Sequence, residues 1–294
     1  AIVDCDGTDT ESHRAFYLHS GEDTTAVIDG ITITDAYGDA AVRCDGSGVT
    51  LRNCIVTQNH ASGLYYSHKY PTMKAVVIDS CQIANNNGAG VQMSDGRVSY
   101  SEFTNNSGNG LMMFDPNSAR VSGCLFRGNP SIGLYYTTGG GPQPSFSNCT
   151  FVENNKGMVF DWMPPLEVTS SSIVTAGWIS NCVFAFNDTG IVNTFISPTM
   201  SCCNSFGNIA SNWPYGINAG DSGNISLDPM FCDLATGNLR LMSSSPCAPA
   251  NNSCGLLIGA FDIGCDCCEG TRGNVNMSGI VDLSDLSTLV GYLT

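Results

Sequence analysis

Residues 124–136 read CLFRGNPSIGLYY, and this pattern decides the fold because it returns five more times along the chain. Each copy begins with Cys or another small residue, has a large apolar residue two positions later and Asn three positions after that, and then a Gly followed by apolar residues. The other copies are CIVTQNHASGLYY (54–66), CQIANNNGAGVQM (81–93), SEFTNNSGNGLMM (101–113), CTFVENNKGMVF (149–160) and CVFAFNDTGIV (182–192). Their starts lie 27, 20, 23, 25 and 33 residues apart. A nearly constant motif separated by insertions is typical of a solenoid.

Stacking the copies about 4.8 Å apart, as in a parallel sheet, would place like residues on like. Alternation along a strand puts the first and third motif residues on one face. The first inward column is Cys54, Cys81, Ser101, Cys124, Cys149 and Cys182, and the second is Val56, Ile83, Phe103, Phe126, Phe151 and Phe184. The Asn side chains at the bend are expected to bond along the stack: Asn59, Asn86, Asn106, Asn129, Asn154 and Asn187. The glycines are expected to free the backbone for the next corner: Gly63, Gly90, Gly110, Gly133, Gly157 and Gly190.

These columns predict an all-β fold, a right-handed parallel β-helix, followed by a short EF-hand-like loop and helix. A β-sandwich is the alternative fold, but stacked identical columns at this period are not its signature. Upstream, AIVDC, AVIDGITIT and GVTLRNC are interpreted as further strands, and SCCNSFGN (201–208) as an irregular last rung.

The repeats resemble the right-handed β-helix repeats of pectate-lyase-like and related bacterial surface proteins. Residues 224–265 resemble the segment that closes such helices in bacterial secreted proteins. The resemblance covers most of the chain and is specific for the fold, not for an activity. We therefore expect the β-helix over residues 1–223, a Cys-rich closing segment over 224–268 and a tail over 269–294.

Composition excludes some classes of function. The net charge is −15, with only 11 Lys and Arg residues, so neither nucleic-acid binding nor binding to an anionic membrane is expected. No run of 18 apolar residues occurs. Fifteen cysteines without a zinc or haem motif favour an oxidising, extracellular location. Cys247 and Cys254 could form a loop disulfide, and Cys44 and Cys54 could be bridged or be core thiols; the sequence leaves these pairings open.

Residues 274–285, NVNMSGIVDLSD, have the spacing of an EF-hand calcium loop. The loop resembles one half of a type I dockerin, including Asp rather than Glu at its last position. The expected oxygen ligands are Asn274, Asn276, Ser278, the Ile280 carbonyl, Asp282 and Asp285. Only two of these carry a formal charge, so we expect weak calcium binding, and with one loop a cohesin partner is not expected.

Catalytic candidates are few. A pectate-lyase-like enzyme would need carboxylates that hold calcium and a nearby Arg or Lys as base. Asp115 and Asp161 follow corresponding strands, and Arg120 precedes a strand and could face Asp115. The alternative to a catalytic role is that the two aspartates are ordinary turn residues and that Arg120 and Asp115 form a surface ion pair. The paired-Asp motifs of polygalacturonase-like hydrolases are missing.

The middle position of the second motif strand should face outward, yet it is mostly apolar. It forms a stripe of Tyr65, Gln92, Met112, Tyr135, Val159 and Val192. Such a stripe marks an interaction surface unless the long loops between rungs cover it. The sequence favours a secreted, non-catalytic structural or adhesive protein that self-associates or attaches through its tail. The alternative is a polysaccharide-active enzyme or glycan-binding module, with glycans or cell-surface components as partners.

Overall fold

The computed structural model of the protein describes residues 1–67, 74–114, 119–138, 144–162, 177–194 and 197–265. The chain winds through about nine turns, and each complete turn contributes one strand to each of three long parallel sheets, here called A, B and C. A fourth, three-stranded sheet, D, lies in the C-terminal part. The predicted parallel β-helix is thus confirmed.

The strand bounds are as follows. Sheet A comprises Ile2–Asp4, Thr32–Thr34, Ile55–Thr57, Gln82–Ala84, Glu102–Thr104, Leu125–Arg127, Thr150–Val152, Val183–Ala185 and Asn204–Phe206. Sheet B comprises Phe16–Leu18, Ala40–Asp45, Ser62–Ser67, Val91–Met93, Leu111–Phe114, Ile132–Thr138, Lys156–Trp162 and Thr189–Asn193. Sheet C comprises Val27–Asp29, Val49–Arg52, Val76–Asp79, Gly96–Ser99, Arg120–Ser122, Ser145–Ser147, Trp178–Ser180 and Thr199–Ser201. Sheet D comprises Phe231–Asp233, Asn238–Met242 and Ile263–Cys265, and the described helices are two 3₁₀ turns, Asp221–Gly223 and Pro249–Asn251.

The motif columns stack in register, as the repeat predicts. In sheet A, Phe103 pairs with Phe126, Phe126 with Phe151 and Phe151 with Phe184. The Phe126 and Phe151 rings stack with centroids 4.7 Å apart, and both side chains are fully buried. Parallel strands at this spacing therefore convert a sequence repeat into a continuous apolar core.

The thiol column is also buried, and its cysteines are free. Each thiol donates to the carbonyl two residues earlier, for example Cys124 Sγ to Ser122 O at 3.2 Å. Ser101 makes the same bond with its hydroxyl, at 2.8 Å to Ser99 O. The column therefore holds a small side chain that donates one hydrogen bond to the turn. It continues one rung further than the motif indicates, to Cys203.

The asparagines form a buried ladder along one corner, as predicted. Asn129 donates its backbone N–H and its Nδ2–H to Asn154 Oδ1, at 3.1 and 3.0 Å. The ladder runs from Asn59 to Asn187 and extends to Asn208 and Asn212. The glycine column has a different cause from the expected one. Its glycines have ordinary φ values, and a Cβ on Gly63 would lie 2.5 Å from the Gly90 carbonyl oxygen, so close packing of successive rungs requires them.

The first rungs contain two strands of sheet B that the motif does not reveal, Phe16–Leu18 and Ala40–Asp45. Ala36 occupies the ladder position there and still donates its backbone N–H to Asn59 Oδ1 at 3.0 Å. Ala41 stands one residue before Val42, which pairs with Leu64, and so takes the place of the column glycine. These rungs keep the geometry but lack the signature.

Residues 225–265, here called the C-terminal strap, fold back over the outer face of sheet A. Phe231, Leu239, Leu241, Cys247 and Ile258 pack there against Leu125, Val152, Val183 and Ala185. Ala260 N–H donates to Thr150 Oγ1 at 2.9 Å, and Arg127 Nη2 donates to Leu234 O at 3.0 Å. The strap therefore buries the one stretch of this face where the outward residues become apolar.

Two disulfides fasten the strap, Cys202–Cys254 and Cys232–Cys265. The suggested Cys247–Cys254 pairing is wrong, because Cys247 is buried against Asn204 Nδ2, which donates to its sulfur at 3.1 Å. Cys44 and Cys54 are not bridged; both are free, buried thiols. Asp115 and the whole predicted calcium loop, 274–285, lie outside the described residues.

Candidate functional site

The outer face of sheet C carries two columns of polar side chains, because alternate residues of its strands point away from the core. In the strands from Val49–Arg52 onward the apolar residue that faces the core, such as Val121 or Phe146, is buried. The column beside the turn into sheet A reads Asp29, Arg52, Asp79, Ser99, Ser122, Ser147, Ser180 and Ser201. Five of these are consecutive serines, so hydroxyls repeat along the axis at the rung spacing of about 4.8 Å.

The second column contains the larger groups. It reads Val27, Thr50, Val77, Arg97, Arg120, Ser145, Trp178 and Thr199. Trp178 is 52% exposed although its strand is paired on both sides within sheet C. The face therefore presents a flat array of hydroxyls flanked by cationic and aromatic side chains.

Tyr100 stands at the corner between sheets C and A and is 72% exposed. Its φ is +47°, in the left-handed region that a bulky residue rarely adopts. The equivalent corners use Asn53, Ser80, Gly123, Asn148 and Asn181, most of which suit this conformation better. A Cβ on Gly123 would lie 2.8 Å from the Tyr100 ring, so the absence of a side chain there makes room for the ring. Strain of this kind at an exposed aromatic residue points to a function outside the fold.

Tyr100 borders a groove of about 560 Å³. Its walls include Thr50, Arg52, Asp79, Arg97 and Ser99. In the lower half, the rungs of Asp29, Arg52 and Asp79, the charged groups are engaged by one ion pair and by one hydrogen bond from a neutral hydroxyl. Arg52 Nη2 donates to Asp29 Oδ2 at 2.7 Å, and Ser99 Oγ donates to Asp79 Oδ1 at 2.6 Å. The bond from Arg52, with a second from Asn53, lowers the pKa of Asp29.

The upper half of the face, which contains the rungs of Arg97 and Arg120, differs in its charge. Arg97 pairs in register with Arg120 on the next strand, and both side chains are exposed. Within the described ranges neither arginine makes an ion pair or a side-chain hydrogen bond. At one end of the face Arg52 is paired with Asp29, and at the other end Arg97 and Arg120 form a cationic pair.

The structure does not bring the described catalytic candidates together. Arg120 lies on sheet C, whereas Asp161 lies on the outer face of sheet B. Asp161 accepts a hydrogen bond from Tyr135 OH at 3.0 Å and another from the Thr194 hydroxyl. Burial, and then the bond to Asp161, raise the pKa of Tyr135.

The predicted interaction stripe runs in register along sheet B. Gln92 pairs with Tyr65 and Met112, and Tyr135 with Met112 and Val159. Val159, at 6% exposure, is buried, and the other five are half-buried. At its N-terminal end the column continues into Arg43, whose guanidinium lies 5.3 Å from the Tyr65 ring centroid. Interaction through this stripe stays a prediction.

The serine column of sheet C can be recognised in the sequence, although it lies outside the motif of Cys, Phe and Asn. The residues just before each motif read RVSYS, RVSGC, SFSNC, WISNC and TMSCC, each with Ser in the middle. When these five segments are aligned, their middle serines form the serine column of sheet C, here called the serine ladder.

Comparison with known proteins agrees with this architecture. The family model for the right-handed β-helix region matches residues 14–173 and 74–229, and the chain belongs to this family. No curated protein matches the chain. Among solved structures, the crystal structure of pectate lyase Pel9A is similar, with a TM-score of 0.56 and 12% identity, over 90% of this chain and 86% of that one. At this identity the likeness shows the fold alone. In the described ranges no helix has the length and apolarity needed to span a membrane.

Proposed function

We propose that this protein is an extracellular β-helix protein that binds a linear polysaccharide along the outer face of sheet C. The observation that carries the proposal is Tyr100, an exposed aromatic ring held in a strained backbone conformation at the edge of a polar groove. An aromatic ring offers a rigid apolar surface to the C–H face of a sugar, and nearby polar groups fix its orientation.

The repeat of the face suits a polymer better than a small ligand. Serine hydroxyls recur on five successive rungs. The rung spacing, about 4.8 Å, is comparable to one sugar unit of an extended glycan chain. A chain lying parallel to the helix axis could therefore meet an equivalent hydroxyl at each unit, between Tyr100 at one end and Trp178 at the other.

Two further observations support an extracellular polysaccharide ligand. Two disulfides fasten the strap, and such bonds persist in oxidising compartments. The similar structure is a pectate lyase, so a β-helix of this kind can carry a polysaccharide site.

The structural or adhesive role favoured by the sequence remains compatible with glycan binding. Self-association, and weak calcium binding by residues 274–285, stay proposals supported by the sequence pattern alone.

The test is binding of the purified protein to a panel of soluble linear polysaccharides, by affinity electrophoresis and calorimetry. Tyr100→Ala and Trp178→Ala should each weaken binding about tenfold, the loss of one stacking contact. Tyr215→Ala is the matched control, because Tyr215 is 90% exposed and lies beyond the last strand of sheet C. Equal losses in all three variants, or no binding by the wild type, would refute the proposal. Release of unsaturated or reducing ends from the same glycans would show cleavage.

A further inference from the structure

Arg97 and Arg120 face each other across neighbouring parallel strands on the same exposed face. Like charges directly opposite on a sheet destabilise it. The chain has only 11 Lys and Arg residues against 26 Asp and Glu. Two of these scarce cations nevertheless stand together, and no carboxylate of the described residues pairs with either.

The other described arginines each have a partner. Arg52 pairs with Asp29, Arg14 with Asp39, Arg43 with Asp39 and Asp45, and Arg127 with Glu153, while Arg240 donates to the Ile263 carbonyl. The acidic side chains nearest the groove are already engaged, Asp29 with Arg52 and Asp79 with Ser99. The charge of the Arg97–Arg120 pair is therefore left for something outside this part of the chain.

We infer that Arg97 and Arg120 form an anion seat on sheet C that selects a polysaccharide bearing carboxylate or sulfate groups. This inference rests on the proposed function and adds the charge of the ligand to it. A guanidinium presents N–H donors in a fixed fork that matches the paired oxygens of either group. Two forks about 4.8 Å apart can hold one anionic group between them. Ser145, the partner of Arg120 in register, adds a hydroxyl donor beside the seat.

The other residues of the sheet C face determine which rungs the anionic group of the glycan occupies. In the lower half of the groove Arg52 is paired with Asp29, and the Asp79 carboxylate lies beside them, so this half offers an anion no comparable attraction. An anionic sugar is accordingly drawn to the rungs of Arg97 and Arg120, while its neighbours contact Tyr100 and the serine ladder. The protein as a whole is acidic, so this local cationic pair attracts the anion against a repulsive background. Salt screens the attraction between the two guanidinium groups and the anion, so binding should weaken as the salt concentration rises.

The experiment uses matched probes that differ only in charge. De-esterified polygalacturonan is compared with its fully methyl-esterified form, and a sulfated galactan with its desulfated form. The wild type should bind at least one charged member about tenfold more tightly than its neutral partner. The carboxylate and sulfate arms distinguish the two sources of the anion.

The variants then assign the preference. Arg97→Gln and Arg120→Gln should each remove most of the charged-to-neutral ratio, because they weaken binding of the charged chain far more than binding of the neutral chain, and Arg97→Lys should retain part of the ratio. Arg52→Gln is the control, since it removes the same charge from the same face at a paired position. If the wild type binds charged and neutral chains equally, or if Arg52→Gln abolishes the ratio as fully as Arg97→Gln, the anion seat is refuted while the proposed function stands. If none of the four probes binds and the polysaccharide panel is also negative, both are refuted.

Discussion

Asn187 accepts two hydrogen bonds from Asn154 through a single oxygen, from the backbone N–H and from Nδ2–H, each at 3.0 Å. Asn154 in turn accepts the same pair from Asn129 and donates Nδ2–H to Phe126 O at 2.9 Å. Each side chain therefore satisfies backbone groups of the preceding rung in a corner that water does not reach, and successive turns depend on one another.

The first prediction concerns this ladder. Asn154→Ala should lower the free energy of unfolding by about 3 kcal/mol, because it leaves the Asn129 N–H and the Phe126 carbonyl buried without that partner. Asn155→Ala is the control, since the Asn155 side chain is exposed and donates to Asp188 on the surface. Urea unfolding of both variants measures the difference. Similar losses for the two variants would mean that the ladder contributes little.

The second prediction concerns the strap. Cys202 and Cys254 are 52 residues apart, and removing a disulfide that closes a loop of this length costs about 4 kcal/mol in the chain-entropy description. Replacing both by Ser should release the strap from sheet A and uncover Val152, Val183 and Ala185. Proteolysis within residues 225–265 and binding of a hydrophobic dye should both increase. Cys5→Ser, at a free cysteine near the other end of the helix, should leave both unchanged. An unaltered digestion pattern in the double variant would contradict the prediction.

Much of the fold could be predicted because each rung repeats the same physical requirement. Phe126, Cys124 and Asn129 are recognisable in the sequence since their equivalents recur in every motif copy. Ala36 and Ala41 occupy the same places without the signature residues, so the first rungs of sheet B could not be recognised. The disulfide pairing depends on where the strap folds back, and no local pattern specifies that Cys254 meets Cys202.

The candidate site was harder to predict for a similar reason. Arg97 and Arg120 are 23 residues apart, and only the register of sheet C makes them neighbours. Asp161 and Arg120, two of the three catalytic candidates in the sequence, lie on different sheets. The motif of Cys, Phe and Asn describes residues that face the inside of the solenoid. The candidate site consists of outward-facing residues, which alternate with core residues along each strand.

The third prediction concerns pH. Burial raises the pKa of Cys44 from 9.0 to about 12. A raised pKa in the folded state means that the protonated thiol stabilises the fold fully below about pH 9, and that this stability is lost as pH rises towards 12. Cys44→Ala lacks this titration. The stability advantage of the wild type over Cys44→Ala should therefore shrink above pH 9, by about 1.4 kcal/mol per pH unit at most. Urea midpoints of both proteins at pH 8, about 9.5 and about 10.5 measure it. A constant difference across this range would show that the thiol is not shielded as described.

The fourth prediction concerns the tail. Asp282 and Asp285 provide the only formal charges among the expected calcium ligands at 274–285. Asp282→Ala and Asp285→Ala should each abolish calcium binding measured by calorimetry, because an oxygen-ligand site with one remaining carboxylate binds weakly. The unfolding midpoint of the β-helix should not change in either variant. Asp266→Ala, outside the loop spacing, is the control. Wild-type protein that takes up no calcium at millimolar concentration would contradict the dockerin-like interpretation.

The last prediction separates stability from binding at Tyr100. A tyrosine at φ +47° is strained by about 1 kcal/mol relative to residues that adopt this conformation readily. Tyr100→Asn places there the residue type found at the corresponding corners Asn53, Asn148 and Asn181. The variant should unfold at a higher urea concentration than the wild type and yet bind glycan about tenfold more weakly, because the ring is gone while the corner is relaxed. Ser80→Asn is the matched control: it makes the same residue at the preceding corner, where φ is +54°, and leaves the Tyr100 ring in place. A Tyr100→Asn variant that is less stable than the wild type would show that the ring serves the fold. One that is more stable and still binds fully would remove Tyr100 from the site.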